Sequence, residues 1–261
     1  MALAKTLTAV GTVGLARCGG RPFGTHLFSV WPGAALAATA FPVRCTPGDN
    51  LALHVAVAQA PPGSALVVDV AGDSEYGYVD EIIAVAARTR GVAGIVLDGC
   101  VRDIAAIARC ELPVFSAGVA VREAGHDAGG AVGQQISMTA NGPAPLPVRR
   151  GDWIVADDDG VVCLPRAQVS TIITEAMSSL TRERALVDAV AAGESTLDLL
   201  GLDPSRVVGW EGANEERARS GPGRMHRLGR RDSASRVVEG LSALRARGGH
   251  LPALGDAYGT D

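Results

Sequence analysis

Arg102 and Asp103 stand side by side after the run Gly94-Ile95-Val96-Leu97-Asp98-Gly99-Cys100-Val101, and their types suit a shared task. A guanidinium is a permanently charged planar fork that fits a carboxylate, whereas an aspartate is a hard oxygen donor that fits a divalent cation. Adjacent, the two could hold a metal and an acidic substrate together. The plainer alternative is an ion pair at the end of a strand. Asp80 and Glu81 come next in interest, because they precede Ile82-Ile83 at a loop-to-helix junction whose unbonded backbone N–H groups form an anion site. Asp80 reads first as an acid that favours the helix dipole. His54, inside a helix, reads first as a packed or surface residue. His126-Asp127 reads as part of a solvated Gly-rich loop, and Asp157-Asp158-Asp159-Gly160 as a solvent-facing turn, although each has donor atoms a metal accepts.

The elements that must position these groups alternate. Strands are expected over Phe41–Cys45, Ala65–Val70, Gly94–Leu97 and Leu112–Ser116, with a Gly-bearing turn at Gly99 delivering Arg102 and Asp103. Helices are expected over Leu51–Ala60, with Leu51, Val55 and Ala58 on one face, over Ile82–Arg88, and over Ile104–Cys110. Thr46-Pro47-Gly48-Asp49-Asn50 is turn-rich, and Asp49 or Asn50 could cap the first of these helices. Strand, helix, strand, helix, strand over residues 65 to 116 is an α/β signature. A strand around Gln134–Met138 and a hairpin of Trp153–Ala156 with Val161–Pro165 move the sheet away from purely parallel. One long amphipathic helix is expected from Arg166 to about Ala192, stopping near Gly193. No element is evident ahead of Phe41. The expected organisation is thus an N-terminal segment 1–40, a catalytic domain 41–202, and an Arg- and Gly-rich extension 203–261 with a helix over Ser233–Arg247.

Composition narrows the function further. The 261 residues are 47% hydrophobic with a net charge of -4, which suits a buried core and argues against nucleic-acid or membrane partners. The basic clusters of the extension could touch RNA or an acidic partner, but read first as a solvated arm. Cys18, Cys45, Cys100, Cys110 and Cys163 form no CxxC pair, so neither a zinc site nor a disulfide framework is expected, and a cytoplasmic location fits. Gly11, Gly14 and Arg17 interrupt any apolar run long enough for a signal peptide. Lys5 is the sole lysine, a poor candidate for a Schiff base, so carbonyl chemistry would have to use a metal.

Taken together, Pro47-Gly48-Asp49-Asn50, Pro62-Gly63 before Val67-Val68-Asp69, the run Gly94 to Asp103, Leu112-Pro113-Val114-Phe115, and Gly151-Asp152 through Val161-Val162 resemble the RraA-like family over roughly residues 40 to 202. That family includes class II 4-hydroxy-4-methyl-2-oxoglutarate/4-carboxy-4-hydroxy-2-oxoadipate aldolases and oxaloacetate decarboxylases. The resemblance implies a swivelling β/β/α-type domain with a mixed sheet and a C-terminal helical extension, assembled as a homotrimer or homohexamer with sites between subunits. It implies Mg²⁺ or Mn²⁺ anchored by Asp103 largely through waters, and Arg102 on the keto oxygen and carboxylate of a small 2-oxo acid. Glu81, twenty intervening residues ahead of Arg102, would hold metal-bound water or assist proton transfer. The amides of Ile82 and Ile83 would receive the substrate carboxylate, and Glu183 matches a glutamate supplied by a neighbouring subunit. The chain departs from the family at Ser116-Ala117-Gly118, where an Arg often precedes the Gly, and in having Glu81 where some aldolases have Asp. The family's namesake is a non-catalytic inhibitor of an RNA-degrading enzyme, the main alternative. An old methyltransferase label finds no glycine-rich cofactor loop here.

Overall fold

Ala65-Leu66-Val67-Val68 and Ile95-Val96-Leu97 have no solvent exposure at all, the mark of strands covered on both faces. A computed structural model describes residues 2–140 and 144–210. In chain order it contains α1 (Ala2–Arg17), β1 (Arg21–Pro22), β2 (Phe28–Ser29), β3 (Leu36–Cys45), α2 (Leu51–Gln59) and β4 (Ser64–Asp69). Next come β5 (Gly77–Val79), α3 (Glu81–Thr89), β6 (Gly94–Val101), α4 (Ile104–Cys110) and β7 (Val114–Val119). The remainder is β8 (Gly130–Val132), β9 (Ile136–Met138), β10 (Leu146–Val148), β11 (Trp153–Asp157), β12 (Gly160–Leu164), α5 (Val169–Ala191) and α6 (Thr196–Leu200).

Ten of the strands form one mixed sheet along the order β1-β12-β11-β3-β4-β6-β7-β2, with β5 beside β6 and β8 beside β3. β3, β4, β6 and β7 run parallel, while the β11–β12 hairpin attaches antiparallel to β3. On one face α2, α3 and α4 bury Leu53, Ile83 and Ile107 against Val43, Val68 and Leu97. On the other face the small β9–β10 hairpin closes Ile136, Met138, Leu146 and Val148 over Val67, Val96 and Ile154. A third cluster joins Leu7 and Leu15 of α1, and Ile172 and Ala176 of α5, to Val155 and Val162. This is the mixed α/β architecture expected from the alternating pattern.

Several expectations need correction. Residues ahead of Phe41 are structured: α1 packs on the sheet, and β3 starts at Leu36, so the strand runs straight across residue 41. Their signal was masked because α1 kinks at Gly11, where φ is 76°, breaking the 3.6-residue period. The amide and hydroxyl of Thr12 beyond the kink bind the Asp157 carboxylate at 2.8 and 2.6 Å. The Ala-rich start of β3 has weak strand propensity and is held by pairing with β11 instead. Helix α2 buries Ala52, Leu53, Ala56 and Val57 rather than the Leu51, Val55, Ala58 face. Leu-Ala-Leu-His-Val-Ala-Val-Ala is apolar nearly all round, so its pattern cannot choose a face. Gly99 makes no turn: β6 continues to Val101, and a Cβ at Gly99 would lie 2.7 Å from Val70 Cγ2.

Two of the three aspartates at the β11–β12 turn act structurally through their side chains, and Asp159 gives its amide to Asp157. Asp157 pairs with Gly160 across the turn and holds the α1 kink, and Asp158 accepts from the Ser29 hydroxyl and the Gly33 amide. The long C-terminal helix is present, a 3₁₀ turn at Arg166–Gln168 preceding α5. The chain divides into two units, one ending at Arg182 and the other starting at Glu183. Among the described residues, the second comprises the end of α5, then α6 capped by the Ser195 hydroxyl, and a 3₁₀ turn at Pro204–Arg206. The expected helix over Ser233–Arg247 and the basic clusters lie outside the described residues. Among those residues no helix is long and apolar enough to cross a membrane.

Candidate functional site

The buried polar chemistry gathers beyond the carboxyl ends of β5 and β6, the usual position for a site in a sheet with parallel strands. β6 ends at Val101, and the Arg102 amide then bonds to the Val79 carbonyl at 2.9 Å, pinning the chain where the guanidinium begins. Gly77 lies directly under that side chain. A Cβ there would come within 3.0 Å of Arg102 Cβ and 2.8 Å of the Ala120 carbonyl, so only glycine leaves room for the arginine stem.

Asp103 follows in the left-handed region, with φ 59° and ψ 39°, at the N-cap position of α4. For a side chain with a Cβ this conformation costs on the order of 1 kcal/mol, least for Asp and Asn. Yet the Asp103 side chain caps nothing. It is half exposed, and its Oδ2 sits 4.0 Å from Arg102 Nε. A carboxylate held in a strained conformation without a local hydrogen-bonding duty is left available to a ligand.

Asp80 is the acid that meets Arg102. Its Oδ1 accepts from the Ile83 amide at 3.0 Å, capping α3, while its Oδ2 accepts from Arg102 Nη2 at 3.0 Å. Asp80 therefore sits at the start of α3, where an acid favours the helix dipole, and adds a capping bond and an ion pair. Glu123 Oε1 takes the same Nη2 at 3.2 Å. The Asp80 hydrogen bond first, and that of Glu123 after it, raise the Arg102 pKa above its ordinary value against the opposing effect of burial. The guanidinium is thus charged at every working pH. Its Nε hydrogen, by contrast, is buried without an acceptor among the described residues.

A cleft of about 210 Å³ opens on this pair, lined by Asn50, His54, Asp80, Ile82, Arg102, Glu123 and His126, with Gly77 and Ala124 completing the wall. The rings of His54 and His126 meet edge-on with centroids 6.0 Å apart, and His126 Nδ1 lies 3.4 Å from Asn50 Oδ1. Sequence reasoning set both histidines aside. It missed Glu123 altogether, because the segment 117–147 shows no periodicity that could place a single acid. Glu81 is exposed in the first turn of α3 and does not line the cleft. Ile82 lines it, whereas the Ile83 amide is already engaged by Asp80. Glu183 belongs to the second unit, on α5.

The loop bearing Glu123 and His126 is fastened by Asp49. This buried carboxylate accepts from the amides of Leu51, Asp127 and Ala128 at 2.9, 2.7 and 2.9 Å. Burial pushes the Asp49 pKa up, but the Ala128, Leu51 and Asp127 donors outweigh it and hold the group below the usual carboxylate range. Asp73 and Asp98 are lowered likewise, burial again being opposed by hydrogen bonds, from Glu75, Tyr78 and Gly48 in one case and from Thr139 and His26 in the other. A carboxyl with a depressed folded pKa contributes stability that is present above its unfolded value, about 3.9, and is lost as pH falls through the folded one. Unfolding free energy should therefore be flat through neutrality and fall below about pH 4. Asp49→Asn should cost about 2 kcal/mol at pH 7 and flatten the acid limb, as denaturant titrations at several pH values would read.

Among the described residues no group of three His, Cys, Asp or Glu side chains could cage a metal. What Asp103 offers fits a hard cation that keeps most of its water and takes one or two carboxylates, the habit of Mg²⁺.

The family model described as RraA-like, Aldolase/RraA, matches residues 14–163. A Halalkalibacterium halodurans protein named "Putative 4-hydroxy-4-methyl-2-oxoglutarate aldolase" is 33% identical over 167 residues, 62% of this chain and 77% of that protein. A Burkholderia multivorans protein of the same name is 32% identical over 154 residues, 59% of this chain and 86% of that protein. Streptomyces coelicolor RraAS2, described as an unusual member of the RNase ES inhibitor RraA protein family, superposes with a TM-score of 0.59 at 24% identity, covering 70% of this chain and 94% of its own.

Proposed function

Since the chain belongs to the RraA-like family, we propose that it is a divalent-metal-dependent lyase that breaks a carbon–carbon bond beside the 2-oxo group of a small acid. The reaction is retro-aldol cleavage of a 4-hydroxy-2-oxo diacid, decarboxylation of oxaloacetate, or both. The observation that carries this reading is the permanently charged Arg102 opening on a polar cleft beside a strained, uncapped Asp103.

Either reaction leaves the electron pair of the broken bond on a pyruvate enolate. A Mg²⁺ or Mn²⁺ ion anchored by Asp103 supplies, when bound, Lewis-acid stabilisation of that charge. Arg102 orients the substrate carboxylate and keto oxygen, and it places a second positive charge where the enolate oxygen develops. The backbone at Ile82 and Ile83 receives the carboxylate at the start of α3. His126, within reach of Asn50, lines the same cleft as a group able to return a proton to the enolate carbon. Glu81, exposed at the start of α3 and outside the cleft lining, would reach water on the cation only from the cleft's rim, and Glu183 of a neighbouring subunit would complete the site within a homotrimer or homohexamer.

The test is direct. Purified protein with Mg²⁺ should release pyruvate from oxaloacetate or from 4-hydroxy-4-methyl-2-oxoglutarate, EDTA should stop release, and added Mg²⁺ should restore it. The second reading, a non-catalytic regulator of a ribonuclease, draws on the family itself, whose model is described as Aldolase/RraA. No turnover of any 2-oxo acid, together with dose-dependent inhibition of a ribonuclease, would replace the first reading with the second.

A further inference from the structure

Asp80 already occupies both positions that a substrate carboxylate needs. One oxygen takes the Ile83 amide at 3.0 Å and the other takes Arg102 Nη2 at 3.0 Å, the same amide-plus-guanidinium pair that the oxo-acid reading assigns to the ligand. Glu123 also reaches Nη2, so that one nitrogen faces two resident anions. Asp80 is 9% exposed, which places it inside the cleft wall rather than in solvent. Among the described residues the Arg102 Nε hydrogen is buried with no hydrogen-bond acceptor. An arginine whose Nη2 is doubly engaged, while its Nε has no hydrogen-bond acceptor among the described residues and only the Asp103 carboxylate at 4.0 Å, is poised to exchange partners.

The geometry points to Asp80 as the specificity-determining residue of this cleft: a built-in carboxylate that stands in the substrate's anion position and must be displaced before a 2-oxo acid binds. The inference rests on the oxo-acid reading of the site. Its physical basis is competition within one molecule, where the tethered group acts at an effective concentration on the order of millimolar or more and free anions must outbid it. The apparent affinity for any anion is then the intrinsic affinity reduced by the fraction of molecules in which Asp80 has swung away. A weak monoanion loses that contest, whereas an acid that also engages the opposite wall of the cleft can win it. Glu123 differs in kind: it accepts from Arg102, whereas the capping bond to the α3 amide is made by Asp80.

Asp80→Asn isolates the effect, since Asn keeps the cap on Ile83 and removes the charge. Oxalate, a planar mimic of the enolate, serves as the probe, titrated by calorimetry in Mg²⁺ buffer into wild type, Asp80→Asn, Glu123→Gln and Arg102→Ala. The expected result is oxalate binding about tenfold tighter in Asp80→Asn than in wild type, a smaller gain in Glu123→Gln, and loss in Arg102→Ala. Asp80→Ser, a second cap-retaining variant, should repeat the gain if the Asn protein folds poorly. Binding that requires Arg102 but is unchanged or weaker in the Asp80 variants would overturn the displacement role and leave the oxo-acid site standing. Equal gains in the Asp80 and Glu123 variants would also overturn it, reducing the effect to general charge. Oxalate binding that ignores Arg102, or is absent from every protein, would remove both.

Discussion

Arg102→Ala should lower kcat/KM for 2-oxo acid cleavage about a thousandfold, the largest single effect expected in this molecule. The guanidinium has two duties in the proposed reaction, holding the carboxylate in the ground state and meeting charge on the enolate oxygen as the bond breaks. Only the second is specific to the transition state, so kcat should fall along with a rise in KM. Arg102→Lys sharpens the test. It restores a charge but not the fork, and it should recover less than about a tenth of the lost activity. Thermal unfolding must accompany the assay, because removing the cation leaves Asp80 and Glu123 without their shared partner. Turnover by Arg102→Ala at the wild-type rate would dissolve the site.

Asp103→Asn should cost about a hundredfold or more in kcat/KM at low Mg²⁺ and recover in part as Mg²⁺ is raised. Asn is the informative replacement because it adopts the left-handed conformation as readily as Asp. The backbone at φ 59° is then undisturbed, and the change is confined to one negative charge. Asp103→Ala adds backbone strain of about 1 kcal/mol, mixing a folding cost with the chemical one. A shift in the Mg²⁺ concentration giving half-maximal activity, with melting temperature unchanged, is the signature expected. An Asn variant with unaltered activity and metal dependence would show that the cation is anchored elsewhere.

How legible these features are in the sequence depends on whether the signal is local. The apolar runs of β4 and β6, the alternation of strand and helix between residues 65 and 116, the Asp-Gly hairpin and the long α5 all follow from patterns within a dozen residues, and all are present. The 3.6-residue period fails in α1 because Gly11 kinks the helix, and it is blind in α2 because the segment is apolar on every side. The Arg102–Asp103 pair was legible as chemistry because the two residues are adjacent in sequence.

Its partners were not. The family resemblance pointed to Glu81, but Asp80, the N-cap of α3, turns toward Arg102 while Glu81 is exposed, a choice made by the capping bond to Ile83. Glu123 and His126 reach the cleft from an irregular loop held by Asp49, which lies 78 residues earlier in sequence than Asp127, whose amide it binds. Residue types and short-range periodicity thus determined by themselves that the chain is α/β, that Lys5 is the sole lysine of the sequence, and that an arginine and an aspartate leave β6 together. Tertiary structure alone decided which acids face that arginine and which histidines wall the cleft. Those contacts join segments distant in the chain, and side-chain direction at a helix start or in a loop is set by hydrogen bonds whose partners no local pattern reveals.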